Sequence, residues 1–558
     1  MTEKKRVLLV SEFSLLNTGF SVMNHDLLST LHNSDEYEVA EFSSYVSDDD
    51  PRIKKLPWKV YPVIPSDSKK EEKAQYNQNY NTAQFGSNRF NSVVLDFKPD
   101  IVFSYRDYWH DEYITRSPYR DLFHYVWSAC VDSEPQKSEW ISTYSTVDTV
   151  TSYTKWGLNA IKRQGGDIVN TAHTDVMPGV DLNVFKPKDK KECRDRLGLM
   201  DDINIFLVVM RNQPRKLYPE IIRSFMRAIN RMKESGMSEQ ADKTYLYIHS
   251  SNMDVGFDFE KQLLRYGASN KVVFTYVCDA CGHVHASFMK GKACACPSCG
   301  KVRCHTSNTS SGVNREQLSD IYNCADAYIQ VSTAGALEIP IIEAKACGIP
   351  VMTSDYAAPF ELQQMGGNYH TVKTFCFKEE SLRETEQLRG LVDEQDITDG
   401  IIKFLSMDEL AVKKLKQDCR AIALKHHSHI DTTKKWSSIF ERIDKKDDRR
   451  WYRKNRPVQV DPNSLPLHLS DSDFARFMYQ TYLPWMHQEK TLLKEKSLLY
   501  ASLINGRFNG DELVPNGKKQ IIEKCREIVE EYNHWDLHRY NTVNNIVEEV
   551  EERLFEVI

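Results

Sequence analysis

A rhythm repeated twice along the chain, short apolar runs separated by amphipathic helix patterns, constrains the fold more than any single motif. Arg6 to Val10 (RVLLV) is a buried-strand run. A loop through Leu15 to Phe20 follows it, and Val22, Leu27, Leu28 and Leu31 then share one helical face. Further strand runs are read at Ile101 to Ser104, Tyr125 to Val131 and Val147 to Ser152. The rhythm restarts at Ile203 to Met210 (INIFLVVM), whose helix carries Ile221, Ile222, Phe225, Ile229 and Met232 at helical spacing. Strands are then predicted at Tyr245 to Ile248, Val272 to Thr275, Tyr328 to Val331 and Pro350 to Thr353. Parallel strands require crossover helices, so the two blocks predict an α/β protein with two doubly wound, Rossmann-like sheets. A chain of 558 residues is also too long for one core. Ligands of such sheets bind beyond the carboxyl ends of the strands, which directs attention to the loops there.

The predicted organisation is a first domain over residues 1–190, a second over 191–444, an insertion within it over 276–306, and a helical extension over 445–558. The polar, Pro- and Lys-rich stretch from Ser47 to Asn81 reads as a long insertion or flexible loop. Between Arg449 and Arg456, aromatic and basic residues interleave (RRWYRKNR). Such a pattern suits stacking on nucleic-acid bases, and equally a solvated linker whose aromatics dock on the core.

With 41% hydrophobic and 27% charged residues the chain has an ordinary globular composition, and its formal charge of −6 supplies no global attraction for polyanions. No apolar run reaches the ~20 residues that span a bilayer, and the N-terminal MTEKKRVLLV lacks the pattern of a signal peptide. Of 13 cysteines, five fall between Cys278 and Cys299. Metal-like spacing there and scattered thiols elsewhere point to a reducing, cytoplasmic setting.

Those clustered cysteines carry the strongest chemical signal. Cys278-x-x-Cys281 and Cys296-x-x-Cys299 each precede a glycine (CDACG, CPSCG). Each forms a knuckle that aims two thiolates at one point, and two knuckles give the tetrahedral four-sulfur site of a zinc ribbon. Cys294, Cys304, His283 and His285 lie near enough to substitute. Four thiolates leave no open position for substrate, so the zinc is expected to be structural, with a recognition surface for a partner as the other use.

A second signal spans Ser332 to Leu362 (STAGALEIPIIEAKACGIPVMTSDYAAPFEL). It resembles the retaining GT-B glycosyltransferases of group one, or family four. Pro340, Glu343, Ala344, Ala346, Gly348, Pro350, Val351 and Glu361-Leu362 match their pattern. The resemblance implies two Rossmann-like domains facing a cleft, with the donor nucleotide held by the second and Glu343 on the ribose hydroxyls. One departure stands out: the family's first glutamate, which contacts the transferred sugar, aligns with Gly335, while Glu338 stands where a glycine is usual.

The resemblance extends to Met210–Lys216 (MRNQPRK), where Arg211 and Lys216 match the cations that reach the donor diphosphate, with Arg215 as a neighbour able to share that work. Fixed cations would stabilise charge on the departing nucleoside diphosphate without a catalytic divalent metal. Thr18 and Gly19 sit in the loop after the first strand, where relatives bring backbone amides to the donor. Pro178-Gly179-Val180-Asp181 followed by Phe185-x-Pro187 resembles the domain-junction signature, one spacer short, and a helix near Trp436 to Ile443 is expected to cross back to the first domain. Resemblance covers roughly residues 5–440.

Acceptor chemistry is sought at the strand ends of the first block: Arg106, Asp107 and His110 after one strand, Asp132 and Glu134 after the next. Asp107, His110 and Asp132 are the candidate catalytic groups, for orienting or deprotonating an acceptor hydroxyl. Retaining relatives are thought to let the leaving phosphate help in that deprotonation. The expected reaction moves a sugar from a nucleoside-diphosphate donor, UDP preferred, with retention. Candidate acceptors are a hydroxymethylated base in phage DNA, since such DNA-modifying enzymes are also GT-B proteins, or a cell-envelope glycan, protein or small molecule. An epimerase or phosphorylase on this fold, or a binding protein that lost transfer, is the alternative.

Overall fold

The computed structural model describes residues 4–451 apart from 17, 118, 253, 292, 309–310, 382–383 and 446–450. The first sheet contains β1 (Lys5–Glu12), β2 (Tyr37–Ser47), β3 (Lys59–Ile64), β4 (Ile101–Ser104), β5 (His124–Ala129) and β6 (Thr149–Ser152). Their order is β3-β2-β1-β4-β5-β6, all parallel. Strand order reverses beside β1, so the crevice that binds ligands in such sheets opens beyond the carboxyl ends of β1 and β4.

The Ser47–Asn81 stretch is not the loop expected of it. It holds β3 and the helix Lys70–Gln78. Proline 62 masks the strand signal (KVYPVI), yet is tolerated because β3 is an edge strand that pairs only with β2.

The second sheet is built around β7 (Asn204–Val209), β8 (Thr244–His249), β9 (Val272–Cys278), β13 (Ala327–Gln330), β14 (Val351–Ser354) and β15 (Asn368–Val372), in the order β9-β8-β7-β13-β14-β15. Its reversal lies between β7 and β13, which aims the loops Arg211–Lys216 and Ser332–Glu338 at one crevice. Behind β7, the helix Tyr218–Glu234 buries Ile221, Ile222, Phe225, Ile229 and Met232, the stripe read from the sequence.

β10 (Val284–Phe288) pairs antiparallel with β9 on the edge away from β8, β12 (Val302–Thr306) pairs antiparallel with the end of β9 that runs past β8, and β11 (Cys294–Ala295) pairs antiparallel with β12. A hairpin of β16 (Thr374–Glu379) and β17 (Leu388–Val392), unforeseen in the sequence, leaves the second half and docks on the first. Leu388 donates its N–H to the Glu134 carbonyl at 3.2 Å, and Gln387 Nε2 donates to the Ser133 carbonyl at 3.0 Å.

The helix His429–Glu441 starts before the predicted position and returns to the first half. Trp436 and Phe440 pack on Phe103 of β4 with ring centroids at 4.4 and 5.5 Å, and Lys5 Nζ donates to the Phe440 carbonyl. Trp451 is buried in the core of the first sheet at 1% exposure, which removes it from any base-stacking role. The rest of the Arg449–Arg456 segment, and the predicted helical extension beyond it, lie outside the described residues. No helix among the described residues is long and apolar enough to cross a membrane.

Candidate functional site

The site begins where β7 ends. Arg211 is half-exposed and forms two hydrogen bonds to Asp254, at 2.9 and 3.2 Å. Arg215 and Lys216 share one short helical turn, Pro214–Lys216. The left-handed Leu217 then redirects the chain into the following helix. This turn holds Lys216 inside the protein, with a side chain only 4% exposed. Its ammonium pairs with Glu338. Arg215 Nη1 donates to the Ala334 carbonyl at 3.0 Å and lies 3.3 Å from the same carboxylate.

Glu338 comes from the other loop of the crevice. It adopts φ +68° just before the helix Ile339–Ala346, a left-handed conformation that disfavours a side-chain-bearing residue. That turn folds its side chain back over Gly335. A β-carbon added at Gly335 would fall 2.5 Å from Glu338 Oε1 and 2.9 Å from its Cγ. The Glu338 carboxylate thus fills the space directly above Gly335, where the family pattern would place a glutamate side chain. Gln330 Nε2 donates to its other oxygen at 2.7 Å. Burial works to raise the carboxyl pKa, but Lys216 and Arg215 outweigh it and hold Glu338 below the usual glutamate value. Burial, together with the neighbouring Arg215 charge, pushes Lys216 down to about 8. Both partners are therefore charged at neutral pH.

Glu343 lies about a turn and a half beyond Glu338, in the helix Ile339–Ala346, and is buried, with Tyr322 donating to Oε2 at 2.7 Å. Burial pushes its carboxyl up to about 7. A solvated surface position is ruled out for it, and one of its oxygens is already engaged by Tyr322.

Across the crevice, Thr18 caps the helix Gly19–Asn33: its hydroxyl accepts the Ser21 N–H at 3.2 Å and also contacts Glu12. The neighbouring Asn17 lies outside the described residues. Gly19 is exposed, and a β-carbon there would stand 3.5 Å from Ile339 Cδ1. The first helix of one half therefore starts against the helix that follows Glu338 in the other.

Asp107, Asp132, Cys130, Trp109, Trp140 and Arg389 line one pocket beside this junction. Asp132 is tied to Arg389 at 2.8 Å. Asp107 is pushed up to about 6, by burial first and then by the Asp132 charge. Trp109 stays 49% exposed with its ring 5.9 Å from Trp140. His110 sits against Phe85 at 4.1 Å between ring centroids, and burial beside Arg106 pushes it down to about 3. It is a neutral imidazole across the physiological range. Arg106 is fully buried against Asp111, a core ion pair, and Glu134 pairs with Arg163 on the rim. The matched Glu361 has a bracing position: its carboxylate accepts the N–H groups of Lys155 and Trp156, at the start of a first-half helix, at 3.2 and 2.7 Å.

Sequence reasoning missed Arg389, Gln330, Tyr322 and Asp254. Asp254 and Arg389 lie far along the chain from Arg211 and Asp132, which they pair with, while Tyr322 and Gln330 stand just before the Ser332–Leu362 motif and meet Glu343 and Glu338 only in the folded protein. No local pattern could single them out.

At the overhang of β9 the four cysteines converge. Each knuckle closes with a glycine N–H donated to the first cysteine's carbonyl, Gly282 to Cys278 at 2.8 Å and Gly300 to Cys296 at 2.9 Å. Both glycines have φ +71°. The Sγ atoms of Cys278 and Cys299, and of Cys281 and Cys296, stand 3.7 Å apart. A tetrahedron with metal–sulfur bonds of about 2.3 Å has edges of about 3.8 Å; these two edges match it, and all four sulfurs lie within 4.8 Å of one another, so the cluster could hold a zinc ion.

No family model matches the chain. Among curated proteins it is 25% identical over 183 residues to a D-inositol 3-phosphate glycosyltransferase 2 from Catenulispora acidiphila. That match covers 32% of this chain and 34% of the relative, so the likeness spans about a third of the relative's length. Solved structures align over most of the chain. A glycosyltransferase from Rickettsia africae superposes with a TM-score of 0.54 at 11% identity, covering 80% of this chain and 100% of that one. Sucrose-phosphate synthase from Thermosynechococcus elongatus gives 0.54 at 15%, covering 79% and 99%. Anabaena HepE in complex with UDP and glucose gives 0.54 at 13%, covering 78% and 99%.

The chain has the GT-B fold. Its two parallel sheets face each other across the crevice that holds Arg211, Arg215, Lys216 and Glu338 on one wall and Thr18 and Gly19 on the other.

Proposed function

We propose that the protein is a glycosyltransferase that takes a sugar from a nucleoside-diphosphate donor, with UDP as the nucleotide, and transfers it with retention to an acceptor hydroxyl. One observation carries this reading: Lys216, Arg215 and Glu338 converge at the second sheet's switch point and face the capped helix start of the first half. Arg211, Arg215 and Lys216 supply positive charge where a departing diphosphate gains negative charge. Glu338 orients the cations and meets the transferred sugar. Glu343 lies at the ribose end, and the amides behind Thr18 and Gly19 complete the donor cradle. The HepE complex, which contains UDP and glucose, supports the choice of nucleotide.

In this reading the acceptor enters over the pocket of Asp107, Asp132, Trp109 and Trp140. Asp132 is committed to Arg389, so Asp107, raised towards neutrality, is the group that orients the acceptor hydroxyl. The leaving phosphate takes the proton on the same face, which preserves the anomeric configuration. His110, neutral and packed on Phe85, shapes the wall rather than exchanging a proton. The half-exposed Trp109 ring suits a flat acceptor, and a hydroxymethylated DNA base is the acceptor we favour. Binding to duplex DNA that falls steeply with salt would support this acceptor, and salt-insensitive or absent binding would refute it. A structural zinc held by Cys278, Cys281, Cys296 and Cys299, a cytoplasmic location, and the domain limits read from the sequence belong to the same proposal.

The test is a thermal-shift series with UDP, GDP, ADP and their sugar conjugates. A selective rise with UDP and a UDP-sugar is expected; no shift with any nucleotide would overturn the donor site.

A further inference from the structure

The ribbon carries more ligating side chains than one zinc can use. His285 on β10, Cys294 on β11 and Cys304 on β12 bring one ring nitrogen and two thiols within 4.8 Å of one another. Strand register explains why. Cys294 stands opposite Cys304, and Cys304 stands opposite Cys278. His285 stands opposite Tyr276, two residues before Cys278, on the other edge of β9. Side chains alternate across a sheet, so Tyr276, Cys278, His285, Cys304 and Cys294 project from one face.

The histidine is the telling member. It is 6% exposed, and neither Nδ1 nor Nε2 has a hydrogen-bond partner among the described residues. A buried imidazole left in that state keeps the desolvation penalty of both ring nitrogens with no hydrogen bond to offset it, and a metal bond would supply that offset. Its ring is stacked between Tyr276 at 5.7 Å and His283 at 5.6 Å, which holds its orientation. Cys304 is fully buried and stands opposite Cys278 on the neighbouring strand.

We propose that His285, Cys294 and Cys304 bind a second soft metal ion, zinc in the cell, next to the four-cysteine site. One nitrogen and two thiolates form a borderline-soft donor set of the kind zinc favours, with a fourth position for water or a shared thiolate. The two sites divide the mechanical work. The four-cysteine site joins the β9–β10 turn to the β11–β12 turn. The second site ties β10, on one edge of β9, to β11 and β12 on the other. The three ligand atoms lie within 4.8 Å of one another, close enough for small side-chain adjustments to bring them to the edges of about 3.5–3.8 Å of a tetrahedral site. The proposal does not depend on sugar transfer.

Metal analysis of the full-length protein, purified from zinc-replete medium and freed of loosely bound ions, tests it. Two zinc ions per chain are expected, falling to one in His285→Ala and in Cys294→Ser. Cys299→Ser probes the four-cysteine site separately. A single ion lost in Cys299→Ser and retained in His285→Ala would overturn the second site while leaving the first intact. If the variants fail to fold, cadmium NMR of the wild-type protein decides. Two resonances, one typical of four sulfurs and one of mixed sulfur and nitrogen, support the proposal; a lone four-sulfur resonance refutes it.

Discussion

Exchanging two residues should show whether the carboxylate at the switch point matters by its place in space or by its place in the chain. The exchange is Gly335→Glu with Glu338→Gly. Glu338→Gly alone removes the partner of a lysine that titrates near 8. That lysine escapes the loss by shedding its proton. At pH 7 this costs about 1 kcal/mol, one pKa unit's worth. The figure is well below the 3–5 kcal/mol typical of breaking a buried pair whose charge cannot leave. Glycine at 338 also relieves a left-handed backbone, worth about 1–2 kcal/mol. Stability should therefore change little. Donor affinity should fall on the order of 10- to 100-fold, because the site loses a fixed cation and an acceptor for sugar hydroxyls together.

Gly335→Glu alone should be worse than either. Its side chain must enter space that Glu338, pinned by Lys216, Arg215 and Gln330, already fills. The double variant removes that conflict and returns a carboxylate to the same cations, so donor affinity should recover by at least tenfold over Glu338→Gly. Calorimetry with UDP and a UDP-sugar, alongside thermal melts, completes the double-mutant cycle. Additive effects, or a double variant no better than Glu338→Gly, would refute the spatial-exchange argument.

Lys216→Ala should abolish transfer while zinc content and fold persist; full activity in a transfer assay would remove it from the donor site. Transfer should decline as pH rises through about 8, where Lys216 loses its proton, and a profile flat to pH 10 would contradict that role. Glu343→Gln should stabilise the protein at pH 8 by on the order of 3 kcal/mol and hardly at pH 4. The sign follows from a folded carboxyl raised to about 7: its ionisation is penalised increasingly from the unfolded value upward, and glutamine still accepts from Tyr322. Melting curves at both pH values check this. Trp436→Ala should cost about 3–5 kcal/mol by emptying the packing against Phe103, read by denaturant unfolding. Cys278→Ser should lower the melting temperature and release metal; unchanged values would exclude it as a ligand.

The sequence by itself determined the strand–helix rhythm of both halves, because apolar period and buried-strand runs are local properties of the chain. It also determined the knuckle cysteines and the turn that presents Arg215 and Lys216, whose spacing lies within one short segment. It misread 47–81, where Pro62 concealed an edge strand, and did not foresee the hairpin that brings Arg389 to Asp132. Only the tertiary structure decided what Glu338 does. From the sequence, an acid at 338 and a glycine at 335 look like a motif broken at two places. Folded, the left-handed turn lays the Glu338 carboxylate over the Gly335 backbone, against cations from a loop more than a hundred residues away in the chain. His285 changes meaning for the same reason. Its register against β9 and the thiols across the strand, not its neighbours in sequence, make it a ligand in waiting. Charge and coordination act through distances in space, and those distances are set by sheet pairing.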